Sequence, residues 1–355
     1  AGEKAASGCR KGTGVANEPV HWKGAKEMEK EWYHISDLPK EVGVSHPLSL
    51  AGRPALPAKK RVHILALGDV GRTMLLGLRL LGADQIASIG LCDLDEKNLQ
   101  RLEIEINQIR YPFPTEEQVL PPVDIIPEDR LFACDVFIFC ATKGTPPIGA
   151  KGDMRMIQLE ANRELVRHFG ELARKAAYKG LACIVSDPVD NLCRAFWESS
   201  GLAPWQVQGY GLGVMHARAC YYAEKDPQLS HYLTEGRAFG PHGQDLVIAD
   251  SLEQYDDALS RELTRKTVAC NLEVRALGYK PYLAPALSSA ALSILLTLRG
   301  AWHYGSLYLG DQEEGAFLGL KNRLTETGFE YEDPALCPAL YGRIRQAYLN
   351  LCRMK

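Results

Sequence analysis

Two glycines in the first third of the chain have the spacing of a nucleotide site. Gly68 and Gly71 complete the pattern Ala66-x-Gly68-x-x-Gly71, in which an alanine replaces the first glycine of the dinucleotide-binding fingerprint. A glycine turn between a strand and a helix leaves backbone N–H groups at the helix N-terminus, where a pyrophosphate can bind. The pattern therefore predicts that Gly68, Asp69, Val70 and Gly71 contact a dinucleotide. The alternative is a strand–turn–helix unit that binds no ligand.

Asp93 indicates which dinucleotide is preferred. It follows the apolar run Ile86–Cys92 and lies twenty-two residues beyond Gly71. A carboxylate at this position can accept both hydrogen bonds of an adenosine ribose diol, and its charge repels a 2′-phosphate. We predict NAD as the cofactor, in preference to NADP.

The elements that must position these residues alternate between strand and helix. Alternation over about 150 residues is typical of a doubly wound parallel sheet, the Rossmann fold, with ligands at the carboxyl ends of the strands. The loops that carry Gly68, Asp93, Thr142 and Asp187 are expected to share that edge. The predicted strands are 62–67, 86–92, 123–126, 136–140 and 181–186, and the predicted helices lie near 74–81, 95–109, 154–178, 259–277, 283–298 and 341–351.

Composition excludes several other classes of protein. The chain has 355 residues and a net charge of −3, so no basic field favours nucleic acid or an anionic membrane surface. Its ten cysteines form no Cys-x-x-Cys pair, which predicts reduced thiols and neither a disulfide framework nor a metal site. The absence of a long apolar run or an apolar signal core predicts a cytoplasmic protein.

Five short motifs follow one another in the second and last thirds of the chain. They are Ala141-Thr142-Lys143-Gly144; Gly152-Asp153-Met154-Arg155 with Leu159-Glu160-Ala161-Asn162; Ser186-Asp187-Pro188-Val189-Asp190; Gly211-Leu212-Gly213 with Ala217-Arg218; and Gly240-Pro241-His242-Gly243. In their order and spacing the motifs resemble those of the NAD-dependent lactate and malate dehydrogenases, and the resemblance runs from about Lys60 onward.

The resemblance implies reduction of a 2-oxo acid to a 2-hydroxy acid. By this resemblance His242 donates the proton, a role that suits the titration range of histidine. Arg218 binds the substrate carboxylate through two parallel hydrogen bonds. Arg155 descends with a mobile loop to polarise the carbonyl group, while Ala141 and Thr142 lie under the cofactor.

Three departures from the family pattern concern the active site itself. Met215 stands where the family has the aspartate that orients the histidine, and Asp187 replaces an asparagine of the Asn-Pro-Val-Asp turn. Lys280 replaces a threonine and is expected to pair with Asp187 or to bind an acidic substrate. We predict that the substrate is neither lactate nor malate and that Asp187 serves His242. The alternative is a family member that binds NAD without turnover, as a sensor or an assembly component.

The sequence of the substrate loop is compatible with two kinds of substrate side chain. The specificity position falls at Ala150 or Lys151. A small residue would admit a bulky group, whereas Lys151 would bind a second carboxylate.

Three segments are predicted: an N-terminal arm at 1–57, an NAD-binding domain at 58–212 and an α+β substrate domain at 213–355. The arm carries apolar groups that need cover, including Trp22, Ile35 and Leu38. We expect it to pack on the body or on a neighbouring subunit, with Ala1–Asn17 disordered. The resemblance also implies a homo-oligomer, either a dimer or a tetramer.

Overall fold

The computed structural model describes residues 31–143 and 154–354, and for 154–158 it describes the backbone alone. Four predictions therefore lie outside the described residues. They concern the disordered start of the chain, Trp22, the loop with Lys151, and the side chain of Arg155.

One nine-stranded sheet forms the centre of the protein. Its strand order is β11-β10-β9-β6-β5-β4-β1-β2-β3. All neighbours from β3 to β6 pair in parallel, and the hairpin strands β9 to β11 extend the sheet in antiparallel fashion. The doubly wound parallel sheet is confirmed. The strands are β1 (Lys60–Leu65), β2 (Ile86–Cys92), β3 (Val123–Ile125), β4 (Val136–Phe139), β5 (Leu181–Ile184), β6 (Val207–Gly209), β7 (Arg237–Phe239), β8 (Val247–Ala249), β9 (His303–Gly310), β10 (Gly315–Thr325) and β11 (Gly328–Tyr331), with β7 and β8 in a separate two-stranded sheet.

Helices cover both faces of the large sheet. The principal helices are α1 (Asp69–Leu81), α2 (Glu96–Asn107), α3 (Met154–Lys175), α4 (Val189–Ser200), α5 (Leu212–Ala223), α6 (Tyr232–Glu235), α7 (Asp257–Ala276), α8 (Leu292–Leu298) and α9 (Pro338–Arg353).

Strand β4 shows why two layers of helices form. Successive side chains of a strand point to opposite faces, so a strand that is apolar throughout needs cover on both sides. Val136 and Ile138 pack in one core with α1 and α2, whereas Phe137 and Phe139 pack in a second core with α3 and α4. All four side chains are fully buried.

The strand order reverses between β1 and β4, which places a crevice at their carboxyl ends. β1 leads into the glycine turn, β4 leads into Ala141 and Thr142, and β5 leads into Asp187. The sheet therefore brings the predicted loops to one edge.

The segment before α8 differs from the predicted continuous helix 283–298. Pro285–Ala291 forms a π-helix, which separates α-helical residues 283–284 from the α-helix Leu292–Leu298. Ser289 of the π-helix donates its hydroxyl to the carbonyl oxygen of Gly211 and accepts a bond from the N–H of Val214, at 2.7 and 2.8 Å. These bonds tie the π-helix to the start of α5.

The described part of the N-terminal arm packs on the body, as predicted. A 3₁₀ helix spans Ile35–Val42, and Ile35 and Leu38 are fully buried in a core with α9. Tyr33 stacks on Tyr341 with ring centroids 4.3 Å apart. Because one sheet runs through both halves of the chain, the division at residue 212 stays a prediction.

Two further properties concern the part of the chain that the structure describes. No disulfide joins any two of its nine cysteines. No helix within it has both the length and the apolar character of a membrane span.

Candidate functional site

The glycine turn after β1 has the shape of a phosphate cradle. Ala66 adopts a positive φ of 74°, the left-handed conformation for which glycine is usual. A Cβ on Gly71 would lie 2.1 Å from the carbonyl oxygen of Ala66, so only glycine fits there. A Cβ on Gly68 would meet nothing within 4 Å, so packing does not demand that glycine. The turn thus leaves open space where a pyrophosphate can approach the backbone.

Asp93 is joined to this turn. Its carboxylate accepts hydrogen bonds from the N–H of Leu67 at 2.5 Å and from the N–H of Asp95 at 3.0 Å. Asp95 in turn caps α2 by accepting from the N–H of Asn98. These bonds hold Asp93 at the carboxyl end of β2, at the position expected for a ribose contact.

Asn162 joins the loop after β4 to the turn after β5. Its Oδ1 accepts from the N–H of Lys143 at 2.9 Å and from the hydroxyl of Thr142 at 3.3 Å. Its Nδ2 donates to the carbonyl oxygen of Asp187 at 3.2 Å. Asn162 is fully buried, and its hydrogen bonds to the more exposed residues Thr142 and Lys143 are partly buried. Sequence reasoning quoted Asn162 within a motif but assigned it no role.

Asp187 and His242 lie in contact. Oδ1 of Asp187 is 3.3 Å from Nδ1 of His242. The histidine stands between Gly240 and Gly243, both of which have positive φ. A Cβ on Gly211 would crowd the Cβ of His242 at 3.0 Å, so this glycine makes room for the histidine loop. The backbone therefore presents the imidazole directly to the carboxylate.

The charges around Asp187 favour its ionised form. Desolvation would raise the pKa of Asp187, but the charge of His242, its hydrogen bond and the charge of Arg218 outweigh that effect and lower it. Solvent still reaches 64% of this side chain, so we consider desolvation the lesser effect. The result is an anionic acceptor beside the imidazole.

Arg218 is a buried cation that forms no salt bridge in the described part of the chain, and the charge of Asp187 acts on it from a longer distance. Residue Arg218 is only 8% exposed, and its Nη1 lies 3.7 Å from the thioether sulfur of Met215. Burial lowers the pKa of Arg218, although guanidinium remains charged at any ordinary pH. A buried charge without a counter-ion is costly, so the site favours an incoming anion.

Asp190 is a second carboxyl group at this end of the sheet. It is 5% exposed, and its Oδ1 has no hydrogen-bond partner among the described residues. Burial raises the pKa of Asp190 to about 7, while a hydrogen bond from Ser306 and the charge of His242 oppose the shift. Asp190 therefore keeps its proton at pH values well above those at which a carboxylic acid ordinarily loses it.

A cavity of about 660 Å³ opens beside the Asp187–His242 pair. Its walls come from the turn after β5, the histidine loop and the last turn of α9. They include Leu159, Asp187, Asp190, Asn191, His242, Asn350, Leu351 and Arg353.

The structure corrects the expected pairing of Lys280. Its Nζ lies 3.3 Å from Oδ2 of Asp69, in the glycine turn, and makes no ion pair with Asp187. Whether Lys280 binds substrate stays a prediction. In residues 31–143 and 154–354 no group of three or more histidine, cysteine or acidic side chains is arranged to hold a metal ion.

Comparison with known proteins gives sequence relatives of two kinds. The chain is 28% identical over 195 residues to an L-lactate dehydrogenase of Treponema denticola, a match that covers 55% of this chain and 58% of that protein. It is 23% identical over 247 residues to a malate dehydrogenase of Thermomicrobium roseum, which covers 66% of this chain and 76% of that protein. The chain thus spans little more than half the length of the lactate dehydrogenase it matches. No protein-family model matches the chain.

The fold extends the likeness over most of the chain. A solved lactate dehydrogenase from a Medee basin deep-sea metagenome library superposes with a TM-score of 0.68 at 15% identity and covers 84% of this chain and 98% of its own. At that identity the match shows the fold alone. The sequence relatives over part of the chain and the fold over 84% of it thus both resemble lactate and malate dehydrogenases.

Proposed function

We propose that the protein is an NAD-dependent oxidoreductase that interconverts a 2-hydroxy acid and a 2-oxo acid, with neither lactate nor malate as its preferred substrate. The contact between Asp187 and His242 carries the proposal, because it supplies the oriented acid–base group that Met215 cannot supply. Gly68 and Asp93 support NAD as the cofactor, since the turn is open to a pyrophosphate and the carboxylate suits a ribose diol.

His242 transfers the proton in this proposal. With Nδ1 engaged by Asp187, the other ring nitrogen, Nε2, is free to exchange a proton with the substrate oxygen. The negative charge of Asp187 stabilises the protonated imidazole and fixes its orientation, as the aspartate of a serine-protease triad does. Bound NAD(H) supplies or accepts the hydride.

Arg218 binds the substrate carboxylate. A guanidinium forms two parallel hydrogen bonds with a carboxylate, which fixes the face that the carbonyl carbon presents. The burial of Arg218 strengthens that attraction relative to water. Arg155 at the start of α3 is assigned to the carbonyl oxygen through the motif resemblance alone.

Asp187 is the reason to expect an unusual substrate. An ionised carboxylate only accepts hydrogen bonds, whereas the amide of the family pattern also donates them. A second carboxylate on the substrate, as in oxaloacetate, would be repelled by Asp187, while a hydroxyl or amino group could donate to it. The proposed substrate class is a 2-oxo acid whose side chain carries no second negative charge and is larger or more polar than a methyl group.

A screen of 2-oxo acids with NADH, followed by absorbance at the nicotinamide band, tests this function. We expect turnover with at least one polar monocarboxylic 2-oxo acid that exceeds turnover with pyruvate and oxaloacetate. A preference for either of those two would contradict the substrate assignment. His242→Asn serves as the control, since it keeps a planar polar side chain but cannot act as an acid near neutral pH.

Met215 supports a second candidate, a protein that binds NAD without turnover. Its buried thioether contacts Arg218 at a position where a carboxylate would serve a histidine. High-affinity NADH binding with no turnover of any 2-oxo acid would favour this function. Assembly as a homo-oligomer and a cytoplasmic location stay predictions.

A further inference from the structure

Lys280 reaches from the second half of the chain to the glycine turn. Its ammonium group lies 3.3 Å from Oδ2 of Asp69, a residue 211 positions earlier in the chain. Asp69 is the first residue of α1 and directly follows Gly68. The contact therefore spans the mouth of the cradle in which a pyrophosphate would bind.

Asp69 is an unfavourable group at a phosphate site unless cations neutralise it. Its carboxylate also accepts a hydrogen bond from Arg72 on the next turn of α1. Two cations thus surround one anion, and the three side chains carry a net positive charge. An approaching pyrophosphate meets a cationic cluster in spite of the aspartate.

Lys280 is free to change partners. Its side chain is 79% exposed, and an exposed ion pair contributes little to stability because water and salt screen it. The open space over Gly68 lies beside this pair, since a Cβ there would meet nothing within 4 Å. Gly68 directly precedes Asp69, so the long and flexible side chain of Lys280 is held beside the residue over which that space opens.

We propose that Lys280 is a cofactor-binding residue that contacts the pyrophosphate of the bound dinucleotide and, through Asp69, clasps the two halves of the chain over it. This inference rests on the proposed use of NAD. It assigns Lys280 to the cofactor, in place of the substrate contact expected from its sequence position. The role of Asp69 is to hold the ammonium group in place before the cofactor arrives.

Equilibrium binding of a ligand series tests the proposal without any measurement of turnover. NADH and ADP-ribose carry the pyrophosphate, whereas adenosine lacks it. Lys280→Ala is expected to weaken the affinity for NADH and for ADP-ribose about tenfold, which is the effect of one charged contact. The affinity for adenosine should not change. The affinity of the wild type for NADH should also fall more steeply with salt than that of the variant.

Two further variants distinguish a role of the Lys280–Asp69 pair in cofactor binding from a purely structural role. Asp69→Asn removes the anion that holds Lys280 in place, so NADH and ADP-ribose should bind more weakly than in the wild type, while adenosine binding should be unchanged. Lys225→Ala is the matched control, because it removes one exposed lysine that stacks on Tyr221 away from the turn. If Lys280→Ala and Asp69→Asn weaken all three ligands equally, the pair is only structural and the proposal fails.

The inference and the proposed function can fail separately. A wild type that binds NADH and ADP-ribose with affinities unaffected by Lys280→Ala would overturn the role of Lys280 alone. A wild type that binds neither ligand would overturn the use of NAD and the inference with it.

Discussion

Oδ1 of Asp187 lies 3.3 Å from Nδ1 of His242, and the two residues come from loops that follow different strands of different sheets. The family pattern gives the histidine a carboxylate from α5, at the position of Met215. Here the carboxylate comes from the turn after β5, and the thioether of Met215 contacts Arg218 instead. The carboxylate beside the imidazole therefore comes from a different element of the fold.

Asp187→Asn is expected to lower kcat by about 10²–10⁴-fold, the usual contribution of an oriented acid–base group. The pKa of Asp187 is lowered in the folded protein, so the carboxylate is ionised throughout the neutral range and loses its charge only in acid. The acid limb of the wild-type pH profile should therefore change in the variant. Asp124→Asn, at an exposed position of β3, is the control for loss of one charge.

Arg218→Ala is expected to abolish binding of oxamate-like anions and to leave NADH affinity nearly unchanged. A charge-assisted hydrogen bond contributes roughly 1.5–3 kcal/mol, which is at least a tenfold loss for each. Arg218→Lys is the informative companion, since it keeps the charge but loses the planar pair of donors. Isothermal titration with oxamate measures both. Binding of the anion by Arg218→Ala at wild-type affinity would place the carboxylate elsewhere.

Asp93→Ser is expected to weaken the preference for NADH over NADPH. Serine keeps one acceptor for the N–H of Leu67 or Asp95, while the charge that repels a 2′-phosphate is removed. Fluorescence titration with both reduced cofactors gives the ratio of dissociation constants. Equal affinities in the wild type would show that Asp93 does not select the cofactor.

Asp190→Asn is expected to stabilise the protein increasingly as pH rises. Burial raises the pKa of Asp190 to about 7, so the folded state retains a proton that the unfolded state has already lost. Stability of the wild type thus falls as pH rises from the unfolded pKa through the folded one, by about 1.4 kcal/mol per pKa unit, and the asparagine removes that loss.

Urea unfolding of wild type and Asp190→Asn at about pH 4 and about pH 9 measures this difference. The gap in the free energy of unfolding should widen by a few kcal/mol at the higher pH. A gap that is independent of pH would mean that Asp190 titrates in its ordinary range.

Restoring the family pattern provides a further test. In Met215→Asp with Asp187→Asn, the histidine regains a carboxylate from α5 and the turn regains its amide. We expect this double variant to gain turnover with pyruvate relative to Asp187→Asn alone, because Met215→Asp returns a carboxylate to the histidine. Steady-state NADH oxidation measures the gain, and no gain would show that a carboxylate at position 215 cannot serve His242.

The sequence predicted those strands and helix ends that depend on neighbouring residues alone. The strand Ile86–Cys92 was predicted with its observed bounds, and the predicted helix start at residue 95 is the observed N-cap of α2, since each depends on neighbouring residues. The likeness of several loops to a known family placed Asp187 and His242 near each other. The contact itself could be proposed because Met215 left the histidine without its usual partner.

Contacts between distant residues were beyond sequence reasoning. The bonds of Asn162 join backbone groups about twenty residues to either side, and nothing in its neighbours marks them. The partner of Lys280 is 211 residues away, so its sequence position suggested the wrong carboxylate. The π-helix Pro285–Ala291 has the same apolar pattern as an α-helix, and its hydrogen bonds to the start of α5 depend on the fold.

The central claim is that Asp187 and His242 act as one acid–base unit. The most direct measurement is kcat for the best 2-oxo acid found in the screen, in wild type, Asp187→Asn, His242→Asn and the double variant. If the two residues act as one unit, kcat of the double variant should be no lower than that of the slower single variant. The first substitution already abolishes the function of the pair, so the second has nothing further to remove. Losses that multiply in the double variant, or a wild-type rate in Asp187→Asn, would contradict the account.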